Sequence, residues 1–270
     1  MLTLTGLRKT FNPDTVNEVR ALQGVDLTID DGSFVIVLGM NGSGKSTLLN
    51  AVAGTFYLDE GRIELAGHDV TRWAEHRRAQ LIGRVFQNPF SGTAPNMSIA
   101  ENFALAARRG KPRGLGFALA TDLMAPLRDR IASLKMGLEN RLDNAIGSLS
   151  GGQRQALTLL MASWLKPELL LLDEHTAALD PKSGDQVIAL SEEVIKRDRL
   201  TTLMVTHSMQ QAVSLGDRLI MMHRGAVLHD FRGAEKKRLR ADDLIDLFNE
   251  VRRRELLDES AASMLQALYV

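Results

Sequence analysis

A glycine-rich turn that ends in a lysine and two hydroxyl residues is the stretch of this sequence best suited to chemistry. An apolar run precedes it at residues 34–38 and an apolar segment follows at residues 47–53, so the sequence predicts a strand, a turn and a helix. That is the setting of a phosphate-binding loop, in which glycines let successive backbone N–H groups face one anion. The turn reads Gly39, Met40, Asn41, Gly42, Ser43, Gly44, Lys45, Ser46 and Thr47.

The polar end of this turn predicts how a triphosphate would be held. Lys45 is expected to reach the β and γ phosphates, and the hydroxyl of Ser46 is expected to ligate Mg²⁺. The helix that follows adds its unpaired N–H donors and the positive end of its dipole. The turn therefore predicts ATP and Mg²⁺ as ligands.

Two acidic residues follow a second apolar run farther along the chain. Residues 169–172 are four consecutive leucines, as a strand buried on both faces requires, and Asp173 and Glu174 come directly after them. Parallel strands deliver such residues at their carboxyl ends, beside a phosphate loop. Asp173 is expected to hold Mg²⁺ through water, and Glu174 to polarise the attacking water as a general base. The pair favours ATP hydrolysis over simple nucleotide binding.

A third motif, Leu149-Ser150-Gly151-Gly152-Gln153, lies just before a helical stretch that is predicted to begin near Arg154. It is a second candidate anion site at a helix N-terminus. One triphosphate needs only one such cradle within a chain. A second one far away in sequence suggests that it closes over the ATP held by another copy.

With these five residues the chain resembles the ATP-binding-cassette (ABC) ATPases, whose signature motif is the same. The resemblance covers about residues 2–230, and the motifs follow in the family order. It implies an α/β fold, that of a P-loop NTPase nucleotide-binding domain of the ABC type, with an antiparallel β margin and an inserted helical subdomain.

The resemblance also implies roles for residues that would carry little meaning alone. Phe11 matches the aromatic residue that stacks on adenine, although in isolation it is better explained as a packing residue. Gln87 matches the glutamine that senses Mg²⁺ and the γ-phosphate, and His207 the switch histidine that contacts the γ-phosphate. Asp180, in Ala178-Leu179-Asp180, matches the loop that faces the opposite subunit.

Three groups of site residues follow from these arguments. The catalytic candidates are Glu174, His207, Gln87 and Lys45. The metal candidates are Ser46, Gln87 and Asp173. The nucleotide-binding candidates are Phe11, Gly39, Asn41, Gly42, Ser43, Gly44, Lys45, Ser46, Thr47, Ser150, Gly151, Gly152, Gln153 and Asp180.

The residues after Glu174 depart from the family pattern. His175-Thr176-Ala177 stands where many members have Pro-Thr-Ser or Pro-Thr-Ala. Histidine lacks the pyrrolidine ring with which proline restricts the backbone at that position. No catalytic role is assigned to His175.

The elements that must position these residues divide the chain into three predicted parts. Residues 1–87 and 166–233 form the ATPase core, with strand patterns at both ends of the phosphate loop and a βαβ crossover after residue 169. Residues 88–165 form a helical signature subdomain, with helical periodicity at 99–109, 115–131 and 154–165. Residues 234–270 are a helical extension, whose apolar end at 264–268 is expected to pack on its own domain or dock on a partner.

Composition narrows the choice of partner. The 270 residues include 33 Lys+Arg and 33 Asp+Glu, so the net charge of zero gives no support for a general nucleic-acid binder. There is no cysteine, so no thiolate metal site. The N-terminus lacks the layout of a signal peptide, and no apolar run approaches the ~20 residues of a membrane span. Any membrane role is therefore expected to come through a partner.

These observations predict the ATPase subunit of a bacterial ABC importer, peripheral to the cytoplasmic face of the membrane through permease subunits. A second ATPase copy and a substrate-binding protein are the other expected partners. Residues 11–18 and 109–116 resemble the corresponding segments of an importer subgroup assigned to the uptake of amino acids, including aromatic amino acids. The alternatives are an exporter or lipoprotein-release ATPase and a non-transport ATPase acting on nucleic acid. No guanine-specifying Asn-Lys-x-Asp pattern supports a GTPase.

Overall fold

The computed structural model describes residues 1–110 and 121–253, and in residues 121–123 only the backbone. Its strands range from short, almost wholly buried ones at Phe34–Leu38, Leu169–Asp173 and Thr202–Thr206 to longer, partly exposed ones such as Leu2–Phe11. Within the described residues they are β1 (Leu2–Phe11), β2 (Val19–Ile29), β3 (Phe34–Leu38), β4 (Glu60–Leu65), β5 (His68–Asp69), β6 (Ile82–Val85), β7 (Leu169–Asp173), β8 (Thr202–Thr206), β9 (Arg218–His223) and β10 (Ala226–Arg232).

The helices fall between these strands, and the longest runs lie after β6 and after β7. They are α1 (Lys45–Ala53), α2 (Glu75–Arg78), α3 (Ile99–Ala107), α4 (Thr121–Ala132), α5 (Gly151–Ser163), α6 (Pro181–Asp198), α7 (Met209–Ser214) and α8 (Gly233–Arg238). Residues 241–253 are also helical. Among the described residues, no helix combines the length and the apolar character that crossing a bilayer requires.

A six-stranded sheet with the order β10-β9-β3-β8-β7-β6 forms the centre. All neighbouring pairs are parallel except β10 with β9. The register sets Leu38 against Thr206 and Asp173 against Val205, so β3, β7 and β8 end at the same edge. This edge is where polar residues that follow the three strands can meet.

A second sheet, antiparallel with the order β2-β1-β4-β5, lies over α1. One apolar cluster joins Leu4 and Ile63 of this sheet, Leu48 and Val52 of α1, and Val37 of the central sheet. The helix that follows the phosphate loop is therefore held between two sheets. Its position, and with it that of the loop, depends on burial from both sides.

The segment between β6 and β7 is helical and has its own contacts with the other face of the central sheet. Phe103 of α3 and Leu157 of α5 are fully buried in the cluster that also contains Leu172 of β7. A capping box of Ser98 and Glu101 fixes the start of α3. Part of the predicted helix at 115–131 lies outside the described residues, as does the apolar end at 264–268.

Several short elements were not predicted, and some bounds differ. Strand patterns and helical periodicity identify neither β5 and β6 nor α2 and α7. The helix predicted to begin near Arg154 begins at Gly151. The division of the chain into core, helical subdomain and extension stays a prediction.

Candidate nucleotide site

The phosphate-loop candidate leaves β3 at Leu38 and enters α1 at Lys45. Gly42 and Gly44 have φ angles of 78° and 96°, a region that favours glycine. A Cβ at Gly44 would lie 2.5 Å from the carbonyl oxygen of Ala21, so the position is closed to any larger residue. Gly44 is also the N-cap of α1, and no side chain of the described part of the chain caps that helix. Its first-turn N–H groups are left to face an anion.

Lys45 lies at the centre of this loop with only 5% of its surface exposed. Its Nζ donates to the carbonyl oxygens of Gly39 at 2.7 Å and Met40 at 3.0 Å. Burial lowers the pKa of Lys45, while the charges of Glu174 and Asp173 raise it. The amine is therefore close enough to both carboxylates for their charges to affect its pKa. A bound phosphate could replace the two carbonyl oxygens as its hydrogen-bond acceptors.

Asp173 ends β7 in a partly buried position. Burial raises the pKa of its carboxyl, and Arg84 opposes that effect from 3.2 Å. The same guanidinium donates to Asn50 Oδ1 of α1 at 2.6 Å, so Arg84 connects β6, α1 and β7. Sequence reasoning assigned no role to Arg84. The available signal was a charged residue within the apolar stretch that forms β6.

Glu174 gathers the other two catalytic candidates. Its Oε2 lies 3.2 Å from Nδ1 of His207, which follows β8, and 3.4 Å from Nε2 of Gln87, which follows β6. The backbone of Glu174 has φ of 42°, an uncommon value for a residue with a side chain. Three segments far apart in sequence thus bring a carboxylate, an imidazole and an amide together.

The exposed part of the loop and Phe11 have different surroundings. Asn41 and Ser46 are exposed, Thr47 is partly buried, and the hydroxyl of Ser43 is buried without a hydrogen-bond partner among the described residues. Phe11 packs edge-to-face on Phe56, with ring centroids 5.3 Å apart. The stacking of Phe11 on adenine remains a prediction, and within the chain the ring has a packing partner in Phe56.

The signature candidate occupies the start of α5. Ser150 is its N-cap, and Ser150 and Gln153 form a capping box with both hydrogen bonds at 3.3 Å. A Cβ on Gly152 would meet the Cβ of Ser183 at 2.8 Å, and one on Gly151 would lie 3.2 Å from Leu179. The turn therefore packs against the start of α6 in its own chain.

Asp180 is the matching N-cap of α6. Its Oδ1 accepts from the backbone N–H of Ser183 at 3.1 Å, and hydrogen bonding to Ser183 lowers the pKa of the exposed Asp180. Asp180 and Gly152 therefore share a neighbour, Ser183. The loop expected to face another subunit and the signature turn are therefore neighbours in the fold.

The residues present fit a magnesium ion bound together with a nucleotide. The described chain contains no cluster of three or more His, Cys, Asp or Glu side chains that could hold a metal by itself. Mg²⁺ in nucleotide sites usually takes only one or two protein oxygens, with phosphates and water completing its shell. One carboxylate at Asp173 and one hydroxyl at Ser46 satisfy that requirement.

Comparison with known proteins agrees with this geometry. The family model described as ABC transporter matches residues 22–177, and the chain belongs to the ABC transporter family. The chain is 41% identical to a tyrosine transport ATP-binding protein of Clostridioides difficile, over 92% of this chain and 98% of that protein. It is 33% identical to the lipoprotein-releasing system ATP-binding protein LolD of a Ruegeria species, over 84% and 97%.

Two solved structures show the same fold. One is the ADP conformation of an ATP-binding cassette of an ABC transporter, with TM-score 0.72, 26% identity and coverage of 88% of this chain and 92% of that one. The other is a dimeric post-hydrolysis cassette bound to ADP and phosphate, with TM-score 0.70, 28% identity and coverage of 86% and 98%.

The predicted family, fold class and enzyme class are therefore confirmed: the chain is a nucleotide-binding ATPase subunit of an ABC transporter. Binding of ATP and ADP follows from the same comparisons. The individual site residues stay predictions, which the geometry above supports.

Proposed function

We propose that this ATPase energises a bacterial importer of amino acids, with an aromatic amino acid as the first candidate. The observation that carries the proposal is the 41% identity to the tyrosine transport protein over nearly the whole length of both chains. The ATPase itself acts on ATP, while cargo is selected by a permease and by a substrate-binding protein. Attachment to that permease would hold the chain at the cytoplasmic face of the membrane.

Hydrolysis is assigned to the cluster around Glu174. Its carboxylate takes a proton from the water that attacks the γ-phosphate, and His207 and Gln87 hold the carboxylate by the contacts described above. Lys45 turns from the loop carbonyls to the β and γ phosphates, where its charge stabilises the developing negative charge. Mg²⁺, held by Ser46, Gln87 and Asp173, would offset phosphate charge at this site.

A second copy of the chain completes the site. We assign Ser150, Gly151 and Gly152 of one copy to the ATP held by Lys45 of the other. The negative charge of the triphosphate bridges the two surfaces, and loss of phosphate after hydrolysis removes the bridge, so the pair opens. The dimeric cassette with ADP and phosphate supports this arrangement, since it is 28% identical to this chain.

The permease is assigned to a cleft of about 490 Å³ beside the Gln87 loop. Its lining includes Arg84 of β6, Ala106 of α3, and Arg109, which follows α3. Two apolar side chains near it are unusually exposed, Phe90 at 60% and Leu105 at 53%. The Gln87 loop is expected to move when the bound nucleotide changes. A helix of the permease inserted in the cleft would be displaced by that movement.

Reconstitution tests the importer proposal. The ATPase would be co-expressed with a permease and an exported binding protein taken from neighbouring genes, and hydrolysis would be measured in vesicles. We expect stimulation by the binding protein loaded with tyrosine or a related aromatic amino acid. No response to any loaded binding protein would contradict import.

A lipoprotein-release ATPase is the second candidate, because the LolD relative is matched over 97% of its length. In that case hydrolysis in the same vesicles would respond to a lipoprotein inside the membrane. The two functions share the ATPase chemistry and differ only in this response.

A further inference from the structure

His175 follows the proposed general base directly, yet it is fully buried and takes no part in the chemistry assigned above. It stands in the loop of residues 174–180, which begins at Glu174 and ends at Asp180. That loop therefore carries the residue assigned to hydrolysis at one end and the residue expected to face a second copy at the other. The side chain between them is fixed to another element.

The fixing contact is a hydrogen bond to α6. Nε2 of His175 lies 2.9 Å from the hydroxyl of Ser191, and that hydroxyl donates its only proton to the carbonyl of Val187 at 2.8 Å. With that proton engaged, the hydrogen-bond network assigns the shared proton to the ring, in the tautomer with hydrogen on Nε2. Burial lowers the pKa of His175 to about 4, so the ring is neutral at pH 7.

The surroundings of the other ring nitrogen, Nδ1, show whether His175 serves only to fill space or to make a directed bond. Nδ1 of His175 is buried and has no hydrogen-bond partner within the described residues. An apolar side chain would fill the same space without leaving a polar atom unsatisfied, so packing alone does not favour histidine here. What histidine supplies is the directed bond from Nε2.

The backbone of Glu174 requires support. Its φ of 42° is uncommon for a residue with a side chain, and such conformations persist where the surroundings fix them. On one side the N–H of Glu174 donates to Val205 of β8 at 3.0 Å. On the other side the next residue is held by Ser191. The left-handed backbone is therefore fixed between two elements.

We propose that His175 is a positioning residue for ATP hydrolysis: its bond to Ser191 holds the Glu174 backbone so that the carboxylate stays beside His207 and Gln87. The inference rests on the proposed role of Glu174 as general base. In many members of the family a proline restricts the backbone at this position. Here the hydrogen bond between His175 and Ser191 would take over that restriction.

Paired substitutions test this with the full-length ATPase. His175→Gln places a donor near the position of Nε2, whereas the shorter His175→Asn cannot reach Ser191. We expect His175→Leu, His175→Asn and Ser191→Ala to lower kcat roughly 10- to 100-fold, the scale of a small misplacement of a reacting group. His175→Gln should stay close to wild type, and KM and the Kd for ATP should not move in any variant.

A second readout distinguishes positioning from folding. His175→Leu removes the unsatisfied Nδ1, so its Tm should not fall while its kcat does. The double variant with Ser191→Ala should be no slower than either single variant, because both remove the same bond. Ser163→Ala is the matched control, since Ser163 is an equally buried helix serine that bonds Leu159 at 2.9 Å and has no histidine partner.

Equal kcat for His175→Leu and wild type would overturn the inference, as would an equal loss in His175→Gln and His175→Leu. A loss of kcat that follows a loss of Tm or of ATP affinity would overturn it too. Glu174→Gln distinguishes failure of the positioning role of His175 from failure of the general-base role of Glu174. If Glu174→Gln is inactive and His175→Leu is fast, only the positioning role fails; if Glu174→Gln hydrolyses ATP normally, the role of Glu174 itself fails.

Discussion

At the scale of single residues, the chemistry depends on where one carboxylate is held. Oε2 of Glu174 contacts His207 and Gln87, and Lys45 is close enough for its pKa to respond to Glu174. Each of these residues comes from a different segment of the chain. Their meeting places the carboxylate proposed as general base beside the lysine proposed to bind the γ-phosphate.

Glu174→Gln removes the proton acceptor and changes the side chain little in size. We expect ATP hydrolysis to fall roughly 100- to 10,000-fold, the range of a general base, while ATP binding is retained. The variant should accumulate an ATP-bound dimer, visible by size-exclusion chromatography with ATP. Turnover at the wild-type rate would show that another group accepts the proton.

Lys45→Ala removes the charge assigned to the phosphates. The Kd for ATP should rise at least about tenfold, because a charge-assisted contact to phosphate is lost. Calorimetry with ATP measures this, and the exposed Lys182→Ala serves as the control. An unchanged Kd for Lys45→Ala would refute the phosphate-loop assignment.

Residue types and order were enough to predict the candidates at Lys45, Asp173 and Glu174, because the motifs that contain them are local. Gln87 and His207 were singled out only through the family resemblance, since an isolated Gln or His in a loop has no chemical signature. Arg84 was missed because its partners, Asn50 and Asp173, lie in other elements. Such a contact depends on the packing of β6 beside β7, which periodicity does not show.

At the scale of elements, the two candidate anion sites differ in how their helices begin. α1 begins at a glycine without a side-chain cap among the described residues, while α5 begins with Ser150 and its capping box. The first helix end has free N–H donors already. At the second, the Ser150 hydroxyl that caps the helix is the same group expected to meet the phosphate of a second copy.

Ser150→Asp separates these two roles of the serine. Aspartate is also a good N-cap, so α5 should remain stable, but its charge would repel a triphosphate. We expect ATP-dependent dimerisation to be lost while the Kd of the single chain for ATP is unchanged. Chromatography and calorimetry measure the two quantities.

Ser98→Asp is the matched control, because Ser98 caps α3 with the same kind of capping box. It should dimerise like the wild type. Normal dimerisation of Ser150→Asp would contradict the role of the signature turn.

The longer elements followed from periodicity and the shorter ones did not. The apolar runs of β3, β7 and β8 and the amphipathic α6 extend over enough residues to give a clear pattern. β6 has four residues, one of them Arg84 and one glycine, and α7 has six, of which half are polar. Their conformation is decided by tertiary pairing, such as the parallel register of β6 with β7.

At the scale of the whole molecule, we interpret the chain as carrying two half-sites rather than one complete site. The signature turn packs on the start of α6, next to Asp180, and its Leu149 belongs to a different apolar cluster from the buried residues of α1. With 33 basic and 33 acidic residues, the chain has no net charge that would draw copies together or hold them apart. A dimer should therefore depend on the nucleotide itself.

Cargo belongs to a scale beyond this chain. An importer recognises its substrate in the permease and in the binding protein, so the ATPase needs no residue complementary to the cargo. Sequence and structure therefore predict the ATPase chemistry and the kinds of partner more fully than the transported substrate. The aromatic amino-acid proposal rests on a relative, not on a pocket.

Cross-linking in the Glu174→Gln background tests the sharing of ATP most directly. The chain has no cysteine, so Met40→Cys and Ser148→Cys, placed beside the two half-sites, provide the only thiols. We predict a disulfide-linked dimer with ATP and little of it without nucleotide or with ADP. Equal cross-linking in all three conditions, or none with ATP although an ATP-bound dimer forms, would contradict the claim that the triphosphate joins the loop of one copy to the signature turn of the other.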